Sequence, residues 1–398
     1  MKRKIRWGLL PLATVVSVAA AGCAGGGDAA TGGDGNTYQV LLLAPLSGPL
    51  ASYGKAVQVG GEAAADVINA HGGIGGRQVH VSVKDDKGDS TEVASLTQAA
   101  MADTAVPNLV VAGLTSDEAV TALTVTQPAG VLASGPPVST SLADFKLYMS
   151  PTPRAADGAD ATLAKLASQG HKKVGLVVTD DEAGQAIATY YQSIGAAHGV
   201  SIVGVEKVAA DSADATAQLE RLRADGPDVV VASMFGPSAG VVVRSHTKLG
   251  WNVPLYGDVT FAANNIVKQV GQAEAGSLTV IAPAYLVKGS PVGDSPAMQA
   301  AVAAMDARNG GPLAEPMQAY VHTYMGLILV KYAVEKAGTT DGQRVYDART
   351  QLKATDMPLY AGSQSVFEDG SNWPAFKPDD FIALRTSGSD NGFIVSQP

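Results

Sequence analysis

The sequence contains a single cysteine, Cys23, so no disulfide can form within the chain and its stability must come from burying apolar surface. Charge is sparse too. Of the 398 residues 16% are charged and 46% hydrophobic, a balance suited to two well-filled cores of ordinary domain size. The net charge is −9, and it falls to −13 when Lys2, Arg3, Lys4 and Arg6 are removed, which excludes nucleic acid as a partner. The six histidines, His71, His80, His171, His198, His246 and His322, show no metal-ligand spacing and read as surface or supporting residues. Asp85, Asp86 and Asp89 lack the spacing of a calcium loop and read as a solvated turn. A dinucleotide fingerprint is missing as well. Gly72, Gly73, Gly75 and Gly76 follow a helix and precede a strand, whereas that motif must follow a strand and open a helix. No cofactor and no metal are expected.

The N-terminus has the parts of an export signal: a basic start, an apolar stretch, and small residues ending in Ala20-Ala21-Gly22-Cys23. A cysteine in that place suggests a lipoprotein signal over 1–22, with Cys23 carrying the lipid. Residues 23–36 then form a Gly-rich flexible tether.

The chain is organised around Val40 to Arg77, which reads as strand, turn, long helix and glycine stop. Tyr38 to Ala44 is continuously apolar, as a strand buried on both faces of a parallel sheet is. The helix that follows places Val57, Gly61, Ala64 and Ile68 on one face toward that sheet. In an open α/β sheet the ligand lies beyond the carboxyl ends of the strands, so the loop with Ser47 and Tyr53 is expected to face a binding crevice.

The rhythm continues with strands at 79–83, 109–112 and 131–134 and helices at 91–103 and 116–126, a doubly wound half. Lys146 to Pro153 reads as a crossing strand. A second half follows, with helices at 155–168, 184–198, 216–224 and 238–249 and strands at 174–178, 202–208 and 229–233. Ala319 to Ala337 is a long returning helix. Two stretches, Gly113-Leu114-Thr115-Ser116 and Ser139-Thr140-Ser141, put hydroxyls and free amides where a helix begins at a strand end, a place suited to a carboxylate.

The string PLSGPLASYG, then EAAADVINAHGGIGGR, then VSVKDDKGDS resembles the opening of the solute-binding proteins of branched-chain amino-acid (Leu/Ile/Val-binding) ABC transporters, which have the type I periplasmic-binding fold. The resemblance implies two doubly wound parallel α/β lobes joined by crossing strands: 37–147 with 288–365, and 148–287 with 366–398. It implies that Thr115 or Ser116, and Ser139 with the carbonyl of Pro137, hold a ligand's α-carboxylate and ammonium. It also implies that Tyr53 and Phe235 flank the ligand and that Asp258 stands where amino-acid binders keep a carboxylate for the ammonium; a shift of one residue would put Val259 there instead and leave the ammonium without that carboxylate. Ala183 in Asp180-Asp181-Glu182-Ala183-Gly184 stands where that family usually has a tyrosine, which removes one wall of the pocket. Tyr285 and Tyr324 are weaker candidates.

A rival reading has one foothold. Gly236-Pro237-Ser238-Ala239-Gly240 satisfies G-x-S-x-G between a strand and a helix, and Asp258 and His322 follow in the order of a hydrolase triad. No HGGG-like oxyanion segment accompanies it. The favoured expectation is therefore a monomeric, non-enzymatic receptor anchored by lipid on the outer face of the cytoplasmic membrane. It would close on a small carboxylate-bearing ligand, an amino acid by default, and deliver it to a permease. A sensor subunit, or a receptor for amides, urea-like solutes or aromatic carboxylates, fits the same residues.

Overall fold

Both faces of β1 (Thr37–Ala44) are covered, which is why its sequence does not alternate. Tyr38, Val40, Leu42 and Ala44 enter the core beneath helix α1 (Ala51–Ala70), whereas Leu41 and Leu43 enter a separate core beneath α2 (Ser90–Met101) and α3 (Ser116–Thr126). Each buried leucine contributes about 1.5 to 3 kcal/mol relative to exposure. The computed structural model in which this is seen describes residues 36–136, 142–354, 366–368 and 370–397. Among these, no helix is long and apolar enough to cross a membrane.

The first sheet adds β2 (Gln78–Asp85), β3 (Leu109–Val111), β4 (Leu132–Ser134) and β5 (Tyr148–Met149), all parallel, in the order β2-β1-β3-β4-β5. After α4 (Ala155–Ser168) the pattern starts again. Strands β6 (Lys173–Thr179), β7 (Ser201–Val208), β8 (Val229–Ser233), β9 (Leu255–Gly257) and β10 (Leu278–Pro283) stand as β7-β6-β8-β9-β10, the same order one half later. Helices α5 (Glu182–Ile194), α6 (Thr216–Ala224), α7 (Pro237–Lys248), α8 (Ile266–Val270) and α9 (Gln272–Ala275) cover this second sheet. Helices α10 (Pro296–Asn309), α11 (Met317–Ala337) and α12 (Gly342–Ala348) return to the first, and the hairpin β11 (Phe381–Asp390) with β12 (Phe393–Ser396) adds antiparallel to β10. The fold is two mostly parallel α/β sheets flanked by helices, as the sequence led one to expect.

Two segments lie across the boundaries that the resemblance implied. Tyr148 and Met149 pair with β4 and extend the first sheet. Val366, Phe367 and Trp373 pack into cores of that same sheet before the chain reaches β11. Lys146 to Pro153 is thus a short edge strand first and a crossing only afterwards.

α1 and α11 meet through glycine. A Cβ on Gly60 would overlap the carbonyl oxygen of Tyr320. Gly60→Ala should therefore lose about 1 to 2 kcal/mol net, because overlap with backbone belongs at the upper end of overpacking costs, roughly 2 to 3 kcal/mol, and outweighs a helix-propensity gain of about 1 kcal/mol. Denaturant unfolding should show a lower midpoint with an unchanged slope. An unmoved midpoint would show that the two helices can part without cost.

Candidate ligand-binding site

In each half the strand order reverses beside the first strand, between β1 and β3 and again between β6 and β8, which is where an open α/β sheet opens a crevice. Both crevices face one cavity of about 290 Å3, at the lower edge of the roughly 300 to 1,000 Å3 of small-molecule sites. Its wall is made largely from the residues that follow the strands: Tyr53 after β1, Leu114 to Ser116 after β3, Asp181, Ala183 and Gly184 after β6, Met234 and Phe235 after β8, and Val259 and Thr260 after β9.

Tyr53 and Phe235 come from different sheets and meet edge to face, ring centroids 5.3 Å apart at 77°. Both line the cavity, and burial pushes the Tyr53 phenol upward so that it stays neutral. Thr115 and Ser116 line it too but do different things. Thr115 is the N-cap of α3: its hydroxyl accepts from Glu118 N at 3.3 Å, while the Glu118 carboxylate accepts from the amides of Leu114 at 2.6 Å and Thr115 at 2.8 Å. That capping box leaves the N1 and N2 amides, Ser116 and Asp117, as the unsatisfied donors of the first turn. Ser116 therefore offers both an amide and a hydroxyl at the positive end of an 11-residue helix. α4 opens on the cavity in the same way through Ala155 and Ala156.

Asp258 does not reach the cavity. It is fully buried behind the wall, where its carboxylate accepts from Thr260 N at 3.0 Å, Phe261 N at 3.2 Å, Tyr191 Oη at 3.3 Å and the Ser233 hydroxyl. Burial pushes its carboxyl up to about 6. Val259, the neighbour one residue on, lines the cavity in its place. The loop after β6 behaves as a cap: Asp181 Oδ1 accepts from Gly184 N at 2.7 Å and from the Thr179 hydroxyl at 2.9 Å, and Ala183 leaves the wall open.

The triad does not assemble. Ser238 is fully buried at the start of α7, Asp258 is held as just described, and His322 pairs through Nε2 with the Tyr285 hydroxyl at 2.9 Å. G-x-S-x-G here is a helix start, with Gly236 as N-cap at φ 90. Sequence reasoning also undervalued Tyr285 and His322. Both are buried and line the cavity, and burial holds the imidazole neutral by pushing it down to about 3. The signal that could have found them is the i, i+4 spacing of Gln318 and His322 at the start of the returning helix, since both face the cavity. Tyr324 lies in the core instead.

Ser47 is exposed and does not line the cavity; its hydroxyl binds Asp85, which also accepts from Leu46 N and Lys87 N. The aspartate run is no solvated turn, since Asp86 is fully buried and Asp89 caps α2. Pro137, Ser139 and Cys23 lie outside the described residues.

A family model described as periplasmic binding protein matches residues 37–372. The chain is similar to the Leu/Ile/Val-binding protein BraC3 of Rhizobium johnstonii, 27% identical over 337 residues that cover 83% of this chain and 87% of the relative. In three dimensions it is similar to the branched-chain amino acid transporter substrate-binding protein LivJ from Streptococcus pneumoniae in complex with isoleucine. The TM-score is 0.71 at 23% identity, covering 90% of this chain and 97% of that one. It is similar also to an ABC transporter solute-binding protein from R. palustris in complex with benzoate. There the TM-score is 0.69 at 16% identity, covering 91% and 98%. At these identities the likeness to solved structures speaks for the fold.

Proposed function

Because the chain belongs to the periplasmic binding protein family, we propose that it is the solute receptor of an ABC importer, a binding protein with no covalent step of its own. It captures a small carboxylate-bearing ligand between two lobes that follow the two sheets and delivers it, as a monomer, to a membrane permease. The observation that carries this reading is the convergence of both strand-end surfaces on one cavity, where the amide and hydroxyl of Ser116 are left over by the α3 capping box. A carboxylate placed there meets oriented donors and the helix dipole at once. Ser139 and the Pro137 carbonyl belong to the same proposal. The relatives' names make leucine, isoleucine and valine the natural reference set for screening.

A receptor of this kind is open without ligand and closed with it, since a ligand held by both lobes favours the state in which both touch it. Small-angle scattering should show a smaller radius of gyration on ligand addition at unchanged mass. Unchanged dimensions would argue for a rigid site.

Anchoring follows from Cys23. Two or more acyl chains hold a protein stably on a membrane where one does not. Cys23→Ser should move the protein from the membrane to the soluble fraction of cells, and a variant that stays with the membrane would overturn the lipid assignment.

A further inference from the structure

We infer that the cavity has a second recognition point in the first two turns of α11, where Gln318 and His322, with Tyr285, take an uncharged hydroxyl or carboxamide of the ligand. This rests on the receptor reading above and makes its solute bifunctional: a carboxylate and, apart from it, a neutral group that both donates and accepts hydrogen bonds.

Gln318 and His322 stand one turn apart on α11 and both line the cavity, as does Tyr285 from the turn after β10. The His322 ring is held in place. Its Nε2 pairs with Tyr285 Oη at 2.9 Å, and the two rings meet edge to face with centroids 5.9 Å apart at 61°. His322 Nδ1 and Gln318 Oε1 are nevertheless both buried without a hydrogen-bond partner. Buried polar atoms are paired as a rule. Two orphans on one face of one helix, both on residues of the cavity wall, mark a place where the partner arrives with the ligand.

The orphans also define what that partner is. If the Tyr285 hydroxyl donates to Nε2, His322 Nδ1 carries the proton and donates; if Nε2 carries it, Nδ1 accepts. Gln318 likewise presents an oxygen or, with its amide turned over, an NH2 group. A hydroxyl or a carboxamide satisfies every one of these arrangements, whereas an ionised carboxylate only accepts and an ammonium only donates. The three side chains are uncharged as well. Burial keeps the imidazole neutral and pushes the Tyr285 phenol up, with the nearby Tyr53 phenol adding to that rise. A neutral group therefore pairs here without bringing a charge into buried surroundings.

Calorimetric titration of the full-length protein with isosteric pairs tests this. The pairs are threonine and valine, asparagine and leucine, and 4-hydroxybenzoate and 4-methylbenzoate. Each keeps its carboxylate and exchanges a hydroxyl or carboxamide for a methyl or isopropyl group. In at least one pair the polar member is expected to bind at least about 10-fold tighter, because a site built to hydrogen-bond a group rejects the analogue that lacks it. Gln318→Leu should reduce that preference by about 10-fold, and Gln318→Met, which keeps the length of the side chain, should do the same; thermal unfolding checks that both are folded. Apolar members that bind as tightly as their partners in every pair overturn the inference while leaving the carboxylate reading intact. A preference unchanged in the folded variants overturns it too, since the polar group would then be read elsewhere on the wall, for instance by Asp181. Failure of all six compounds also overturns it, because the polar members are the class it names; a radius of gyration that still falls with some other solute would leave the receptor reading standing.

Discussion

Ser116→Ala is expected to weaken capture of the ligand by about 10- to 150-fold while leaving the fold intact. The hydroxyl lies at N1 of α3 on the cavity wall, outside the capping box. Removing it deprives a charged oxygen of one donor in a closed site, a loss of roughly 1.5 to 3 kcal/mol, and about 1.4 kcal/mol is a factor of ten in affinity. Thr115 makes the internal control. Its hydroxyl is the helix cap, so Thr115→Ala should cost about 1 kcal/mol of stability and much less affinity. Calorimetry paired with thermal unfolding of both variants checks this, and an equal loss of affinity in the two would mean that the site reads the cap rather than N1.

Asp258→Ala is expected to destabilise the protein by about 3 kcal/mol or more, because it leaves four buried donors without an acceptor and each such donor costs roughly 1 to 3 kcal/mol. Asp258→Asn should be tolerated, since its amide can donate to the Tyr191 and Ser233 hydroxyls while its oxygen keeps the two backbone amides. The two variants also differ in how they respond to pH. A folded-state value of about 6, above the ordinary carboxylate value, means that the folded chain holds more protons between about pH 4 and 6. The stabilising contribution is therefore complete below about pH 4 and is lost as pH rises through 6, an effect on the order of 2 to 3 kcal/mol. Asn lacks that slope and should match the parent at pH 4 and exceed it at pH 7. Denaturant titrations at the two pH values measure both effects. A stable Ala variant, or an Asn variant that loses affinity for amino acids alone, would put Asp258 back in the site.

The sequence was most legible where periodicity and helix punctuation act locally. Thr216–Ala224 and Val229–Ser233 fall where their residues place them, and the unbroken apolar run of β1 is explained by cores on both faces. Tyr53, Thr115, Ser116 and Phe235 were legible because each follows a strand, and strand ends share one side of a sheet. Asp258 and Val259 were not separable in this way. A one-residue choice in a loop is fixed by tertiary contacts, here Gly158 against Val259 and Tyr191 against Asp258. The short β9 and the β11–β12 hairpin escaped for a related reason, since β11 is specified by pairing with β10 about a hundred residues earlier rather than by its own pattern. Tyr285 and His322 meet although they stand 37 positions apart in the chain, which no spacing within either segment records.

The central claim is that this cavity reads a carboxylate at the start of α3, and the most direct test uses the solute that mass spectrometry identifies in the purified protein. Calorimetric titration would compare its free acid with its methyl ester, the same molecule without the charge. The account predicts that the ester binds at least about 10-fold more weakly. An ester that binds as tightly as the acid would contradict it, because nothing in the site would then be responding to the negative charge.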